Sequence, residues 1–451
     1  MWKAVKDREA GVLLPSSFAS RIRSHRVASF DLSNHKEIVS PHNGAINSLQ
    51  VDLTEARYLL SGASDGSAAV YDIQHATDYE RGLIAKHRSL FVVDKQHSHG
   101  HRYAISTVIW YPVDTGLFIT GSFDHYIKVW DTNTTQVVMD FKMPGKVYRT
   151  AMSSIATTHM LIAAGSTDVQ VRLCDIASGA FTHTLSGHRD GVMSLEWSTS
   201  SEWILVTGGC DGAIRFWDIR RAGCFRILDQ SRSQLGRRPP LAESTSKKGS
   251  VTGQSSSVKT AVSQRRIPLG NETKQLRTLR KSQILTRGPV VQRLHPGLSS
   301  SHNRATAHYG AVTGLRATGD GMYLLSSGSD SRLRLWDIDS GCNTLVNYEA
   351  MRLQPTKALQ LAVTQDSSLV FVPCMATVKA YDVWSGMTCR TFRGHYELVN
   401  CCCFSSQYQE LYSGSNDRQI LVWSPPNPII AEMEDGRGGL VSVADQDNWS
   451  D

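Results

Sequence analysis

Five histidines in this 451-residue chain each stand 22 or 23 residues before an aspartate, with a hydroxyl four residues ahead of that aspartate. The sets are His42, Ser61 and Asp65; His101, Thr120 and Asp124; His188, Thr207 and Asp211; His308, Ser326 and Asp330; and His395, Ser413 and Asp417. Imidazole, hydroxyl and carboxylate are the groups of nucleophilic hydrolysis, in which the imidazole takes the hydroxyl proton and the carboxylate orients the ring. A catalyst needs one such site. Here the set recurs along the chain, and each copy ends on a ring six residues past its aspartate: Tyr71, Trp130, Trp217, Trp336 and Trp423. A fold built from one repeated unit needs the same set in each unit, so the structural reading outweighs the catalytic one. The chain carries no phosphate-binding loop, and its nine cysteines show no CxxC pair and no metal-ligand spacing. Neither a cofactor nor a metal is expected, and no enzymatic activity.

The unit that positions these groups is visible in six ungapped segments. They are GASDGSAAVYD, GSFDHYIKVWD, GSTDVQVRLCD, GGCDGAIRFWD, SGSDSRLRLWD and GSNDRQILVWS, with VPCMATVKAYD as a weaker seventh copy. Each reads as a tight turn followed by a strand of alternating apolar and polar residues ending in an aromatic. The copies end at residues 72, 131, 175, 218, 337, 382 and 424. Four of the six steps equal one unit of 42 to 45 residues, the period of a propeller blade. The first step carries a long loop over residues 74–100, and the fourth carries a much longer insert. Copy three has no histidine before Asp168 and ends in Cys174, and copy six has Met375 where the turn aspartate belongs. Such copies survive because neighbours on both sides bury their faces. The pattern resembles the WD-repeat family. That resemblance implies an all-β, seven-bladed propeller in which Asp, His, Ser/Thr and Trp form a hydrogen-bond chain inside each blade. Blades one to four occupy residues 25–230 and blades five to seven residues 305–428. Residues 26–32 alternate suitably and are expected to supply the last strand of blade seven, leaving no open edge.

Three segments lie outside the blades. Residues 1–24 carry helical apolar and basic spacing around Pro15, which predicts a short helix, a turn and a second helix, with a frayed terminus as the other reading. Residues 231–304 contain 15 Lys/Arg and 2 Asp/Glu, leaving 33 basic and 39 acidic residues elsewhere. The net charge of +7 therefore belongs to this insert. Its low hydrophobicity and high charge predict disorder. Its basic pairs, Arg237-Arg238, Lys247-Lys248 and Arg265-Arg266, suit nuclear import, phosphate binding, or a solvated spacer. Nucleic-acid contact is expected through this insert only, since the folded remainder is acidic overall. Residues 429–451 form an acidic tail around Trp449. No run of 18 apolar residues occurs, so no membrane span is expected, and the charged start lacks the apolar core of a signal peptide.

Several stretches are more specific than a WD repeat: HRYAISTVIWYPVDTGLFITGSFDHYIKVWDTNT, GHRDGVMSLEWS followed by FWDIRRAG, NTLVNY at residues 343–348, and GHYELVNCCCFSSQYQELYSGSNDRQILVW. With them the chain resembles the Cockayne syndrome group A family, in a plant or other distant version. The resemblance implies a nuclear, non-catalytic substrate receptor of a cullin-4 RING ubiquitin ligase, acting in transcription-coupled nucleotide excision repair. It implies the damaged-DNA-binding adaptor as partner, with cullin-4 and the RING subunit reached through it. The Cockayne syndrome B ATPase at stalled RNA polymerase II would be the substrate. A WDxR box then becomes the adaptor contact: Trp217-Asp218-Ile219-Arg220 in blade four, with Arg220 offering a two-pronged donor to the adaptor. Trp217 belongs to the blade pin rather than the contact. Residues 1–24 become the second anchor, a helical ligand for an adaptor groove. The basic insert departs from the family pattern. The rival function is a WD-repeat scaffold of a chromatin or RNA-processing complex with no ligase link.

Overall fold

The computed structural model describes residues 2–80, 84–230 and 306–426. Within them the alternation seen in the sequence becomes antiparallel meanders, each running from an inner to an outer strand. Blade two comprises Ile105–Trp110, Leu117–Ser122, Tyr126–Asp131 and Val137–Lys142, in that spatial order. Blade three runs from Val147–Met152 to Ala180–Ser186, blade four from Val192–Trp197 to Cys224–Leu228, and blade six from Ala362–Val363 to Thr388–Arg393. Each is a four-stranded sheet. Blade five has three strands, Val312–Ala317, Tyr323–Gly328 and Leu333–Asp337.

The period-two pattern fixes which residues go inward. Along Ile214–Asp218, Ile214, Phe216 and Trp217 are buried while Arg215 is half-buried. Apolar side chains from adjacent blades interlock: Trp217 shares a core with Ala163 and Leu173 of blade three, and Trp336 with Val206 and Phe216 of blade four. This packing carries the degenerate copies. Cys174 sits fully buried where other blades have a ring, beside Ile119 and Val129 of blade two.

Ring closure differs from the expectation at residues 26–32. Residues up to Ala28 belong to a helix, α2 (Pro15–Ala28), preceded by α1 (Trp2–Glu9). Pro15 occupies the first helical turn, where its missing N–H costs nothing. Val27 and Phe30 are three residues apart and enter one core with Phe371, Phe392 and Trp423. Their burial reflects that spacing rather than strand alternation. Closure on blade seven starts only at the end of that segment: Asp31 and Leu32 pair with Ser424 and Trp423, and beyond it Ile38 of Lys36–Val39 pairs with Ile420.

The expected loop over residues 74–100 also contains ordered strands. Ile84–Val93 pairs through its later half with Ala68–Asp72 of blade one. Through its earlier half it pairs in parallel with Lys36–Val39, and Asp78–Glu80 folds back on it. Blades seven and one thereby join in one ten-stranded sheet. The buried Lys36–Glu410 pair at 2.7 Å and the His87 Nδ1 to Asp72 carbonyl bond at 2.7 Å lie along this seam. No helix among the described residues is long and apolar enough to cross a membrane. The expectations for residues 231–304 and 429–451 fall on residues outside the described ones.

Candidate adaptor-docking site and the blade pins

In blade four, His188 Nδ1 lies 3.1 Å from Asp211, its Nε2 lies 2.7 Å from Thr207 Oγ1, and Trp217 Nε1 donates to the same oxygen at 2.8 Å. Blade two repeats this with His101 to Asp124 at 2.7 Å, His101 to Thr120 at 2.7 Å and Trp130 to Thr120 at 2.8 Å. Blade five does so with His308, Asp330, Ser326 and Trp336, and blade seven with His395, Asp417, Ser413 and Trp423, all within 2.8 to 3.0 Å. A carboxylate only accepts and an indole only donates. In each pin Nδ1 therefore faces a carboxylate that can only accept, and Nε2 shares the hydroxyl with the indole N–H. Burial pushes the pKa of His101, His308 and His395 down, and the neighbouring aspartates only partly oppose it.

This is the side-chain geometry of a hydrolase triad, yet it cannot attack anything. Thr120, Thr207, Ser326 and Ser413 have no exposed surface, and an indole N–H already occupies the oxygen that would strike a carbonyl. The sets hold the blades.

Blade one departs from the expected His42–Asp65 contact. His42 Nε2 reaches Ser61 at 2.6 Å, but Nδ1 meets Ser67 Oγ at 2.6 Å, and Ser67 in turn donates to Asp65. The serine two residues after the aspartate intervenes. Asp65 still accepts the main-chain N–H of Asn43 at 2.7 Å, as the turn aspartates of the other pinned blades accept the N–H of the residue after their histidine. With the carboxylate one group further away, burial lowers the His42 pKa to about 4. Tyr71 replaces the tryptophan, its hydroxyl 3.4 Å from Ser61.

The WDxR box divides between core and surface. Trp217 is fully buried and serves the blade pin. Asp218 ends its strand and is buried. Arg220 follows in the turn with 54% of its side chain exposed. Its Nε and Nη2 donate to the two Asp218 carboxylate oxygens at 2.9 and 2.8 Å, and its main-chain N–H adds a third bond at 3.1 Å. The prongs that the sequence reading assigns to a partner are therefore satisfied internally, leaving the outer N–H groups of the guanidinium. That fork is also the first cause of the lowered Asp218 pKa.

One further residue belongs to this site. The Arg220 guanidinium lies 5.3 Å over the ring of Trp203, a cation–π distance. Strand register explains the meeting: Ile204 pairs with Asp218, and the Trp203 carbonyl accepts the Ile219 N–H at 3.0 Å. Behind Trp203 stands His159 of blade three, 5.2 Å away and 5.4 Å from Trp197, held by the Glu202 carbonyl at 2.9 Å. The signal available in sequence is the exposed-side aromatic of SEWILV, one residue before a strand whose partner ends in the box.

The helical segment is anchored elsewhere. Arg390 donates to the Ala28 carbonyl at 2.7 Å and pairs with Asp31 at 3.4 Å, so α2 ends on blades six and seven. Val12 and Leu14 between the helices are 78% and 67% exposed. Among the described residues no group of three His, Cys, Asp or Glu side chains could hold a metal ion.

The WD domain, G-beta repeat pattern matches residues 94–131, 179–218, 300–337 and 386–424, the four blades with complete Trp pins. The chain is 64% identical over 459 residues to WD repeat-containing protein ATCSA-1 of Arabidopsis thaliana, covering 100% of both chains. It is 34% identical over 134 residues to the ribosome biogenesis protein WDR12 homolog of Aedes aegypti, covering 29% of this chain and 30% of that one. It is 29% identical over 126 residues to Radiation-sensitive protein 28 of Saccharomyces cerevisiae, covering 27% and 25%.

Proposed function

Because the chain belongs to the Cockayne syndrome A family of WD-repeat proteins, we propose that it is the substrate-recognition subunit of a cullin-4 RING ubiquitin ligase acting in transcription-coupled DNA repair. The observation that carries this reading is the preset Arg220. Asp218 and Trp203 fix its guanidinium at the blade-four turn before any partner arrives, which lowers the entropy lost on docking. The outer N–H groups then meet carbonyl or carboxylate groups of the damaged-DNA-binding adaptor. The second anchor is the α1–α2 pair with its exposed Val12 and Leu14, whose apolar side chains suit a groove. Ubiquitin transfer falls to the RING partner, and this chain presents the substrate, the Cockayne syndrome B ATPase at stalled polymerase, in the nucleus.

The test is co-purification with the adaptor, comparing the intact chain, a deletion of residues 2–14 and Arg220→Ala. Binding by the intact chain that weakens in both variants supports the receptor reading. No binding by the intact chain refutes it and leaves the rival, a scaffold without a ligase link. The matches to ribosome biogenesis proteins give that rival little weight, since the one in Aedes aegypti spans only 29% of this chain.

A further inference from the structure

Blade five is the one blade among the described residues that ends at its third strand. In blade four the third-strand residues Ile214 and Phe216 face Leu228 and Arg226 of the fourth strand. The matching residues of blade five are Leu333 and Leu335. Its would-be fourth strand starts normally. Asn343 bridges Trp336, the Asp337 N–H reaches the Cys342 carbonyl, and the Thr344 N–H reaches the Leu335 carbonyl, the last two at 2.9 Å. Then the chain leaves. Leu345 adopts φ +62°, a left-handed conformation that a leucine side chain resists. The Asn343 side chain holds this turn by accepting the Leu345 N–H at 2.8 Å. Beyond it, the Tyr348 hydroxyl bonds the Val383 carbonyl at 2.7 Å and the Glu349 N–H bonds Gly386 at 3.1 Å, tying the segment to blade six. This is the NTLVNY stretch, which neither the blade pins nor the adaptor site uses.

The departure leaves a cleft of about 240 Å³ whose walls include Arg332, Leu333, Leu345, Val346, Tyr348 and Met351. Hydrogen bonds to the second strand alternate along an antiparallel edge. Because the Leu335 carbonyl and Asp337 N–H point outward, Leu333 points its N–H and C=O outward too. Among the described residues nothing pairs with them. Leu345, 64% exposed, stands at the mouth. Basic groups stand near it: Arg332 in the wall and Arg352, the residue after Met351 of the wall, are exposed and enter no ion pair among the described residues, and Lys379 reaches the Ala350 carbonyl at 3.3 Å. The one acid in the wall, Glu349, already accepts a bond from Thr388.

We propose that the open edge of blade five captures an extended, acidic segment of a partner protein as its fourth strand. Main-chain bonds to Leu333 supply the pairing, apolar side chains fill the cleft, and carboxylates meet Arg332 and Arg352. The outward N–H and C=O select an extended backbone, and the uncompensated arginines select acid. This docking edge needs no ligase assignment and stands apart from the Arg220 site.

The probe is a fluorescein-labelled, end-capped heptapeptide alternating glutamate and valine, titrated against the full chain by fluorescence polarisation. The central valine replaced by proline, which removes an N–H, is expected to weaken binding at least tenfold. An alternating lysine–valine peptide is expected to be weaker by a similar factor. Arg332→Glu, an exposed rim change, is expected to narrow or reverse the preference between the two charged peptides, a readout that misfolding does not mimic. Hydrogen–deuterium exchange is expected to slow at Leu333 when the acidic peptide binds. Equal binding of the proline peptide, an unchanged charge preference in Arg332→Glu, or no slowing at Leu333 would each overturn the proposal. So would slow exchange at Leu333 in the free full chain, which places one of its own segments there.

Discussion

Thr207→Val isolates the claim that the His/hydroxyl/Asp sets are pins and nothing else. The substitution keeps the shape of the side chain and deletes one oxygen. That oxygen accepts the Trp217 indole N–H at 2.8 Å and meets His188 Nε2 at 2.7 Å. All three side chains are sealed from solvent, so no water replaces the lost partner. Two buried polar groups are left unsatisfied, each at about 1 to 3 kcal/mol, giving about 2 to 6 kcal/mol in all. For a folded body of roughly 350 residues the unfolding entropy is about 0.7 kcal/mol per kelvin. A loss of about 3 kcal/mol then lowers the melting temperature by about 4 °C. Urea unfolding followed by tryptophan fluorescence reads the change directly. The matched control is Ser61→Ala in blade one, where the aromatic contact is a 3.4 Å approach of Tyr71 rather than an indole bond. It should cost less than Thr207→Val. Equal stability of Thr207→Val and the wild type would refute the pin and reopen a chemical role for the set.

Other outcomes follow from the same contacts. His42 has a folded pKa of about 4 against an ordinary 6.5, so the unfolded chain binds the extra proton first. Its contribution is complete above pH 6.5 and is lost as pH falls from 6.5 to 4, by about 3 kcal/mol at the lower end. His42→Gln should flatten that part of a stability–pH curve. Phe30→Ala empties a fully buried site against Phe392 and Phe404 and should cost about 3 to 5 kcal/mol, with faster proteolysis ahead of the closing strands. Arg220→Ala should leave urea stability within about 1 kcal/mol, because the guanidinium is half-exposed and the main-chain N–H of residue 220 stays on the Asp218 carboxylate. The same change should weaken adaptor binding thirtyfold or more, a loss of about 2 to 4 kcal/mol. Arg220→Lys should not restore it, since a single ammonium cannot span both Asp218 oxygens.

The repeat was legible because five of the seven blades state their period twice, once in strand alternation and once in the His–Asp spacing. The pins of blades two, four, five and seven follow from that spacing, and the resulting geometry distinguishes them from a catalyst. Blade one escaped in detail because Ser67 looks like an ordinary turn residue until it intercepts His42. Ring closure begins only at Asp31 because Val27 and Phe30 are buried from a helix and the turn after it, while Leu32, which continues the apparent alternation of Ala28 and Phe30, is exposed. The strands at 78–80 and 84–93 have no copy elsewhere in the chain, so self-similarity had nothing to compare them with. Trp203 meets Arg220 only through the pairing of two strands. A motif read along the chain shows Asp218 and Arg220 but not the ring beneath the guanidinium.

The adaptor face is tested most directly by hydrogen–deuterium exchange of the full chain with and without the damaged-DNA-binding adaptor. The account predicts slowed exchange in two places, the helical segment through Ala28 and the turn of Asp218 and Arg220 beside Trp203, with the second lost in Arg220→Ala. Slowing at neither segment, or slowing confined to other blades, would contradict it.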